Sequence, residues 1–254
     1  MAKERLAKER LDRWMVEHSL AETSEKAQAL IMAGSVFVNG QKAQKAGQIL
    51  PENPRVELTE RLRFVSRGGL KLEGAMHRWN INPQGMVCGD FGSSTGGFTD
   101  CLLQAGAVRV YAIDSGTNQL DWRLRSDPRV VVREGVNARH MTAADLGEFL
   151  HLAVCDVSFI SATRIVPVMA ATLKPDSGEM VVLVKPQFEV ARGMVGEGGI
   201  VRDPLLHEEC CQKVRACVEQ LGFETDIMES PITGAEGNKE FLLYGRRITN
   251  NSQN

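Results

Sequence analysis

Two charged residues stand at the ends of apolar runs, where ionisable groups are costly to bury. Asp156 closes the run at 152–155, and Lys185 closes the run at 180–184. A lysine in that position must be paired, and Asp156 is the obvious partner if the two runs are neighbouring strands. Residues of these types at a strand edge suit proton transfer. A purely structural ion pair is the alternative.

A glycine-rich loop follows an earlier apolar run with the spacing Asp90-x-Gly92-x-x-x-Gly96-Gly97. Glycines let the backbone turn sharply and approach a ligand closely before a helix begins. The spacing differs from the Gly-x-Gly-x-x-Gly of dinucleotide-binding folds, and no phosphate-binding lysine follows it. The loop resembles the one that holds the methionine end of the cofactor in S-adenosylmethionine-dependent methyltransferases. By that resemblance these four residues and Ser94 hold the cofactor.

Two polar residues further along could complete a nucleoside site. Asp114 closes the next strand-like run, about 20 residues beyond the glycine loop, where a carboxylate can accept hydrogen bonds from both ribose hydroxyls. A turn-forming aspartate is the alternative. Asn137 follows the third run, where such enzymes hold the adenine base, and we expect it to hydrogen-bond the edge of that base.

From Phe64 onward, apolar runs alternate with helical stretches. The runs lie at 86–90, 108–113, 130–132, 152–156, 180–184, 223–229 and 239–246, and the helical stretches lie near 97–105, 142–150, 160–173 and 204–221. This alternation predicts an α/β fold with a doubly wound, mostly parallel, seven-stranded Rossmann-like sheet. The last two runs have no helix between them and predict an antiparallel pair at one edge. Ligands of such folds bind at the carboxyl ends of the strands.

The N-terminal part of the chain has a different pattern. Helical spacing over 10–18 and an N-cap serine at Ser24 predict two short helices, the second ending at Gly34. Alternating valines then run into Asn39-Gly40, a strong hairpin signal. Two helices and a hairpin make a small α+β unit.

This unit resembles the S4-type RNA-binding domain over roughly residues 8–57, through the Arg-Leu-Asp sequence at 10–12 and the hairpin. One departure is Glu25, where family members commonly carry arginine; Lys26 beside it can supply the charge. A solvated charged face is the alternative for each basic residue. The residues that the resemblance assigns to RNA phosphates, with one arginine at the start of the next domain, are Arg10, Arg13, Lys26, Lys42 and Arg67.

Composition sets further limits. The net charge is −2 and 43% of residues are hydrophobic. Residues 1–64 carry a net charge of +2 and the remainder −4, a slight basic bias in the RNA-binding part. No apolar run approaches the ~18 residues of a membrane span, and the start lacks the apolar stretch of a secretory signal, so we expect a cytoplasmic protein. The six cysteines show no paired Cys-x-x-Cys spacing, and no metal site is expected.

Lys71 and Glu240 become informative only beside the other motifs. Lys71 stands in Ser-Arg-Gly-Gly-Leu-Lys-Leu before the first strand, and Glu240 in Gly-Asn-Lys-Glu-Phe at the last. With the glycine loop, Cys-Asp-Val-Ser-Phe around Asp156 and Val-Lys-Pro-Gln-Phe-Glu around Lys185, they make the chain resemble the TlyA (hemolysin A) family over nearly its whole length. The resemblance implies an FtsJ-like domain that methylates a cytidine 2′-hydroxyl of ribosomal RNA, with ribosomal RNA or ribosomal subunits as partners. The implied catalytic tetrad is Lys71, Asp156, Lys185 and Glu240.

The resemblance also implies a domain plan. An S4-type domain covers 1–60, a linker 61–66, and the methyltransferase domain 67–247, followed by a disordered tail at 248–254. The segment 191–203 carries four glycines, which is typical of a mobile lid over the RNA site or of a flexible connector.

The tetrad residues suit this chemistry. A ribose 2′-hydroxyl is a poor nucleophile and must lose its proton as it attacks a methyl group. A lysine made less basic by partial burial and a neighbouring cation can accept that proton near neutral pH. Lys185 is the candidate base and Lys71 the neighbouring cation. Asp156 would orient Lys185, and Glu240 would position Lys71 or the ribose.

Other classes of methyltransferase carry different sequence motifs. Adenine-amine methyltransferases carry Asn/Asp-Pro-Pro-Tyr/Phe after the fourth strand, where this chain has Asp156-Val-Ser-Phe. Cytosine-carbon methyltransferases need a nucleophilic cysteine after a proline there, whereas Cys155 precedes Asp156. A ribosome assembly factor that kept the fold but lost activity is an alternative. A small-molecule or protein methyltransferase would leave the N-terminal module without a purpose.

Overall fold

The protein divides into two compact units, Met1–Arg63 and Phe64–Asn254. The structure is a computed structural model that describes residues 9–32, 35–58, 63–234 and 237–248. The predicted helix end at Gly34, part of the predicted linker and the tail from 249 onward lie outside the described residues.

The N-terminal unit contains two helices and a three-stranded antiparallel sheet. Asn39 and Gly40, with φ angles of 50° and 78°, make the tight turn between β1 and β2, because a two-residue hairpin loop of this kind needs positive φ at both positions. A third strand, which the sequence pattern did not indicate, pairs with β1. The elements are α1 (Leu11–Glu17), α2 (Ser24–Met32), β1 (Val36–Val38), β2 (Gln41–Lys42) and β3 (Val56–Leu58).

The C-terminal unit is built on one seven-stranded sheet with the order β6-β5-β4-β7-β8-β10-β9. The first five strands of that order are parallel, and β10 pairs antiparallel with both β8 and β9. The predicted fold class and the antiparallel edge are therefore confirmed. The strands are β4 (Val87–Phe91), β5 (Arg109–Ile113), β6 (Val130–Arg133), β7 (Leu152–Cys155), β8 (Glu179–Val184), β9 (Phe223–Glu229) and β10 (Phe241–Arg247).

Helices cover both faces of this sheet. Along β8, Met180, Val182 and Val184 enter one apolar cluster, whereas Val181 and Leu183 enter the other. Because side chains alternate along a strand, a continuous apolar run is what a strand buried on both faces requires. The helices are α3 (Gly68–Trp79), α4 (Gly97–Gln104), α5 (Trp122–Arg125), α6 (Ala143–Leu146), α7 (Val166–Thr172), α8 (Pro186–Glu189) and α9 (Pro204–Glu219).

All six cysteines are free thiols, and five of them are buried in these clusters as small apolar side chains. In the described part of the chain, no helix combines the length and the apolar character that a membrane crossing requires.

The starts of α3 and α4 pack against each other at Gly97. A Cβ atom at this position would lie 2.2 Å from Ser66 Oγ and 2.9 Å from the backbone nitrogen of Gly69. Both distances are shorter than van der Waals contact, so only glycine allows this approach. The approach fixes the helix that carries Lys71 against the helix that follows the glycine loop.

We therefore expect Gly97→Ala to force the two helices apart and to lower the free energy of unfolding by about 1–3 kcal/mol. Denaturant unfolding followed by circular dichroism measures the change. Gly193→Ala is the matched control, because a Cβ atom there meets nothing within 4 Å. Equal stabilities of the two variants would contradict the close approach.

Candidate active site

The loop after β4 crosses the carboxyl end of the sheet. The backbone nitrogens of Gly92 and Ser93 both donate to the carbonyl oxygen of Ile113, at 2.8 and 3.1 Å. Gly92 has a φ of 87°, and a Cβ atom there would lie 2.7 Å from the carbonyl oxygen of Asp156. Glycine at this position thus permits both the turn and the close approach of the loop after β7.

A cavity of about 570 Å³ opens above these strand ends, and we call it the large cavity. Its volume lies within the range of small-molecule sites. Its lining includes four residues predicted to bind the cofactor and one predicted catalytic residue, namely Gly92, Ser94, Asp114, Asn137 and Asp156.

Asp114 follows β5 and lines the large cavity. Its Oδ2 accepts a hydrogen bond from the backbone nitrogen of Ser94 at 2.8 Å, and its Oδ1 accepts one from the backbone nitrogen of Gly116 at 2.7 Å. The bond from Gly116 forms the local turn that was the alternative interpretation of Asp114. The bond from Ser94 ties the strand end to the glycine loop. Since each carboxylate oxygen has more than one lone pair, ligand hydroxyls can still be accepted.

Asn137 lines the same cavity and caps the short helical turn Ala138–His140. Beside it, Glu134 accepts hydrogen bonds from the backbone nitrogens of residues 118–120 and forms an ion pair with Arg125 at 2.7 Å. The Arg125 guanidinium, followed by those amides, lowers the pKa of Glu134 to about 2. Glu134 therefore anchors the wall between Asp114 and Asn137, a role that the sequence did not reveal.

Three other predicted cofactor residues do not line the large cavity. Asp90 is fully buried and accepts hydrogen bonds from the backbone nitrogen and hydroxyl of Thr99, at 2.9 and 2.7 Å, so that it holds the start of α4. A Cβ atom at Gly96 would lie 2.2 Å from Leu124 Cδ1, and Gly97 packs against α3. These contacts shape the glycine loop, and the part of these three residues in cofactor binding stays a prediction.

Lys185 and Asp156 are brought together at the ends of β8 and β7, as the sequence predicted. Lys185 Nζ lies 2.5 Å from Asp156 Oδ1 and donates a hydrogen bond to Ser158 Oγ at 2.9 Å. The Lys185 side chain is 12% exposed. Parallel neighbouring strands end at one edge, which is why two residues 29 positions apart in the sequence can meet.

Lys71 and Glu240 form a second pair, and both are buried. Lys71 Nζ donates to Glu240 Oε2 at 2.5 Å, which joins α3 to the residue just before β10. Glu240 and Lys185 both line a pocket of about 330 Å³, which we call the small pocket. The structure thus assembles the four residues as two ion pairs. Glu240 lines the small pocket itself, whereas Lys71 contacts Glu240 and does not line the pocket.

An aromatic pair in this region, with one exposed and one half-buried member, was not predicted from the sequence. Phe159 is 91% exposed and has a φ of 65°, and its ring lies 5.2 Å from that of Phe188. Positive φ is strained for a residue of this type, and such strain clusters at functional sites. Ser158 and Phe159 line both the large cavity and the small pocket, so these two spaces adjoin. The phenylalanine that ends the Cys-Asp-Val-Ser-Phe motif is the sequence feature from which this aromatic contact could have been predicted.

The glycine-rich segment 191–203 contributes Val195 and Gly199 to the small pocket. The side chain of Asn238 accepts a hydrogen bond from the backbone nitrogen of Val201 and donates one to the carbonyl oxygen of Gly199, both at 3.0 Å. The segment is therefore tied to the stretch that carries Glu240.

The predicted RNA-binding residues occupy exposed positions in their respective units. Arg10 is held by Asp12, through Nε at 3.0 Å and Nη2 at 2.7 Å. Lys26 is paired with Glu22. The other three candidates are Arg13 and Lys42 in the N-terminal unit and Arg67 at the start of α3.

The fold, the glycine loop and two adjoining spaces at the carboxyl ends of the strands define the class of Rossmann-like methyltransferases. The FtsJ-like methyltransferase model matches residues 64–247, and the S4 domain model matches residues 9–56. The chain therefore belongs to the TlyA (hemolysin A) family of FtsJ-like methyltransferases with an S4 domain.

Similar proteins agree with this assignment. YqxC of Bacillus subtilis is 47% identical over 93% of this chain and 85% of its own length. The 16S/23S rRNA (cytidine-2′-O)-methyltransferase TlyA of Mycobacterium tuberculosis is 41% identical over 94% of this chain and 90% of its own. A solved structure named as a hemolysin from Streptococcus thermophilus has a TM-score of 0.73 and 44% identity, covering 97% of this chain and 90% of that one.

Asp90 gives a testable pH dependence. Burial, followed by the nearby charge of Asp156, raises the pKa of Asp90 to about 7. The folded state then holds a proton that the unfolded chain has lost, so this group's contribution to stability falls as pH rises from about 4 to about 7. The slope for one such group is at most about 1.4 kcal/mol per pH unit.

We expect Asp90→Asn, which cannot ionise, to remove this part of the pH dependence. Denaturant unfolding at several pH values across that range would show a smaller loss of stability on raising the pH than the wild type shows. Asp176→Asn, at an exposed site, is the control and should keep the wild-type slope. An unchanged slope in Asp90→Asn would show that Asp90 keeps its charge throughout.

Proposed function

We propose that this methyltransferase transfers a methyl group from S-adenosylmethionine to a ribose 2′-hydroxyl of ribosomal RNA, at a cytidine. The observation that carries the proposal is the junction of the large cavity and the small pocket beside Lys185 and Asp156. One space suits the methyl donor and the other suits the acceptor nucleotide. Lys185 lines the small pocket and pairs with Asp156, which lines the large cavity. The name of the Mycobacterium tuberculosis relative supports the choice of acceptor.

The lining of the large cavity fits an S-adenosyl nucleoside. Asp114 offers carboxylate oxygens for the ribose hydroxyls, and Asn137 offers an amide for the adenine edge. Gly92 and Ser94 form the side expected to meet the methionine end, where glycine allows the carbonyl group of Asp156 to lie against the loop. S-adenosylmethionine, when bound, supplies a methyl group on a positively charged sulfur, which is a strong electrophile.

Lys185 is the proposed general base. Its amino group would accept the proton of the 2′-hydroxyl, while Asp156 holds the amino group in place. Glu240 would position the ribose at the small pocket, and Lys71 would hold Glu240 through their ion pair. Two lysines and two carboxylates balance the charge of the site, so no uncompensated charge is buried.

The N-terminal unit is the proposed anchor for ribosomal RNA or ribosomal subunits. Asp12, 2% exposed, fixes the Arg10 guanidinium and leaves its remaining donors free to point at phosphate. Arg13, Lys26 and Lys42 would add further phosphate contacts, and Arg67 would contact RNA from the catalytic unit. A ribosomal RNA substrate implies that the protein works in the cytoplasm.

Removing the base should stop methyl transfer without emptying the cofactor site. We expect Lys185→Ala to lower the single-turnover rate on a ribosomal substrate by about 10²–10⁴-fold, with cofactor affinity by calorimetry little changed. Lys185→Arg should not restore the rate, because arginine stays protonated. Lys174→Ala, a lysine outside both spaces, should behave as wild type.

Two outcomes would contradict this assignment. A near-normal rate in Lys185→Ala would make the lysine a structural partner of Asp156. A wild-type chain that binds the cofactor and ribosomal RNA but transfers no methyl group would instead be a ribosome-binding or assembly factor.

The RNA contacts should show in the salt dependence of binding. Each lost phosphate contact should reduce the slope of log affinity against log salt by about 0.7–0.9. We therefore expect Arg13→Ala and Lys42→Ala each to flatten the slope and weaken RNA binding, without changing the transfer rate at saturating RNA. Arg55→Ala is the matched control, because Arg55 is exposed in the same unit but is paired with Glu57 at 2.7 Å. Unchanged slopes would remove these residues from the RNA surface.

A further inference from the structure

The amino group of Lys185 lies between two acceptors that come from a single turn. Its Nζ is 2.5 Å from Asp156 Oδ1 and donates to Ser158 Oγ at 2.9 Å. Both acceptors follow β7, and only one residue separates them. Asp156 belongs to the tetrad that the sequence indicated, whereas Ser158 has no role in the function described so far.

The number of acceptors matters because of the geometry of an amine. A neutral lysine amine has two N–H bonds and one lone pair in a tetrahedral arrangement. If Ser158 takes one N–H bond by its hydrogen bond and the paired charge of Asp156 draws the other toward it, the lone pair is left with a single direction. With one of these contacts alone, the second N–H bond and the lone pair could exchange places, so the lone pair would have two directions instead of one. Proton transfer depends on such alignment.

The turn that carries Ser158 is held firmly. The backbone nitrogen of Asp156 donates to the carbonyl oxygen of Phe91 at 3.0 Å, which extends the parallel pairing beyond β7. Gly92 packs directly against the carbonyl group of Asp156. Phe159 follows with its φ of 65°, a strained conformation that persists only where the surroundings enforce it. Ser158 is therefore held from the side of Asp156.

Ser158 also lies at the place where the direction of the Lys185 lone pair matters. It lines both the large cavity and the small pocket, at the junction where donor and acceptor would meet. Because its oxygen accepts from Lys185, its own hydroxyl hydrogen points elsewhere. A serine that only filled space would not need a hydrogen bond to the proposed base.

We propose that Ser158 is a positioning residue that aims the lone pair of Lys185 at the ribose 2′-hydroxyl. The proposal rests on the function proposed above for Lys185. In the step concerned, the O–H bond of the ribose breaks and its proton forms a new N–H bond on Nζ. The electron pair of the O–H bond stays on the 2′-oxygen, which forms its bond to the methyl carbon while the bond from that carbon to the sulfur of the donor breaks and leaves its electron pair on the sulfur.

Ser158→Ala is the direct test, in the full-length protein with a ribosomal substrate. We expect the single-turnover rate at saturating substrates to fall by about 10–100-fold, less than on loss of the base itself. The affinities for S-adenosylmethionine and RNA should change little, so that kcat falls and KM does not. Ser158→Thr keeps a hydroxyl and should recover most of the rate. Ser177→Ala, an exposed serine away from the site, is the control.

The pH profile supplies a readout that a space-filling role would not move. The protonated amine gains more from an acceptor than the neutral amine does. Removing the Ser158 oxygen should therefore disfavour protonated Lys185, and the rate of Ser158→Ala should reach its plateau at a lower pH than the wild type. An identical profile together with a wild-type rate would overturn the proposal.

A double variant separates this proposal from the function on which it rests. If Ser158 acts through Lys185, Ser158→Ala should cost little further rate in a Lys185→Ala background. An equal loss in both backgrounds would show that Ser158 acts elsewhere, and a loss confined to cofactor affinity would make it a cofactor-binding residue. Both results overturn the proposal. A normal rate in Lys185→Ala would overturn the base assignment as well, whereas a slow Lys185→Ala beside a normal Ser158→Ala would overturn only the role of Ser158.

Discussion

The site depends on one close approach between two loops at the carboxyl edge of the sheet. Gly92, after β4, packs against the carbonyl group of Asp156, after β7, at a distance that leaves no room for a side chain. This contact brings the wall of the large cavity next to the residues that hold Lys185. A parallel sheet makes such an arrangement possible because neighbouring strands end side by side. The glycine makes it close enough for a methyl donor and a hydroxyl group to meet.

Charge pairing is the second constraint, because four ionisable side chains lie in a largely buried region. Lys185 with Asp156 and Lys71 with Glu240 form two pairs that draw on β8, β7, α3 and the start of β10. A buried charge without a partner is strongly destabilising, so each pair ties two distant segments together. The same pairs place the proposed proton acceptor and its supports around the small pocket. Stability and chemistry thus impose the same arrangement on these residues.

The two units differ in the kind of surface that each offers to a ligand. The N-terminal unit has a small core and exposed basic residues, including an arginine fixed by the buried Asp12. Such a surface suits the phosphate backbone, which is bound through charge more than through shape. The C-terminal unit has the deep, mixed polar and apolar spaces that a small cofactor and a single nucleotide need.

The sequence alone determined the fold class, since continuous apolar runs alternating with helices allow little but a parallel sheet covered on both faces. It also determined the family, because the motifs are distinctive, and it predicted the four tetrad residues, even though Lys71 and Glu240 look like surface charges when taken singly. Only the tertiary structure decided which residues form ion pairs. Lys71 pairs with Glu240, which is 169 positions away in the chain, and no local pattern encodes that contact. It likewise left Asp90 and Gly96 outside the lining of the large cavity and brought Ser158 to Lys185. Spacing along the chain specifies which residues reach a strand end, whereas the direction of each side chain depends on packing against segments far away in the sequence.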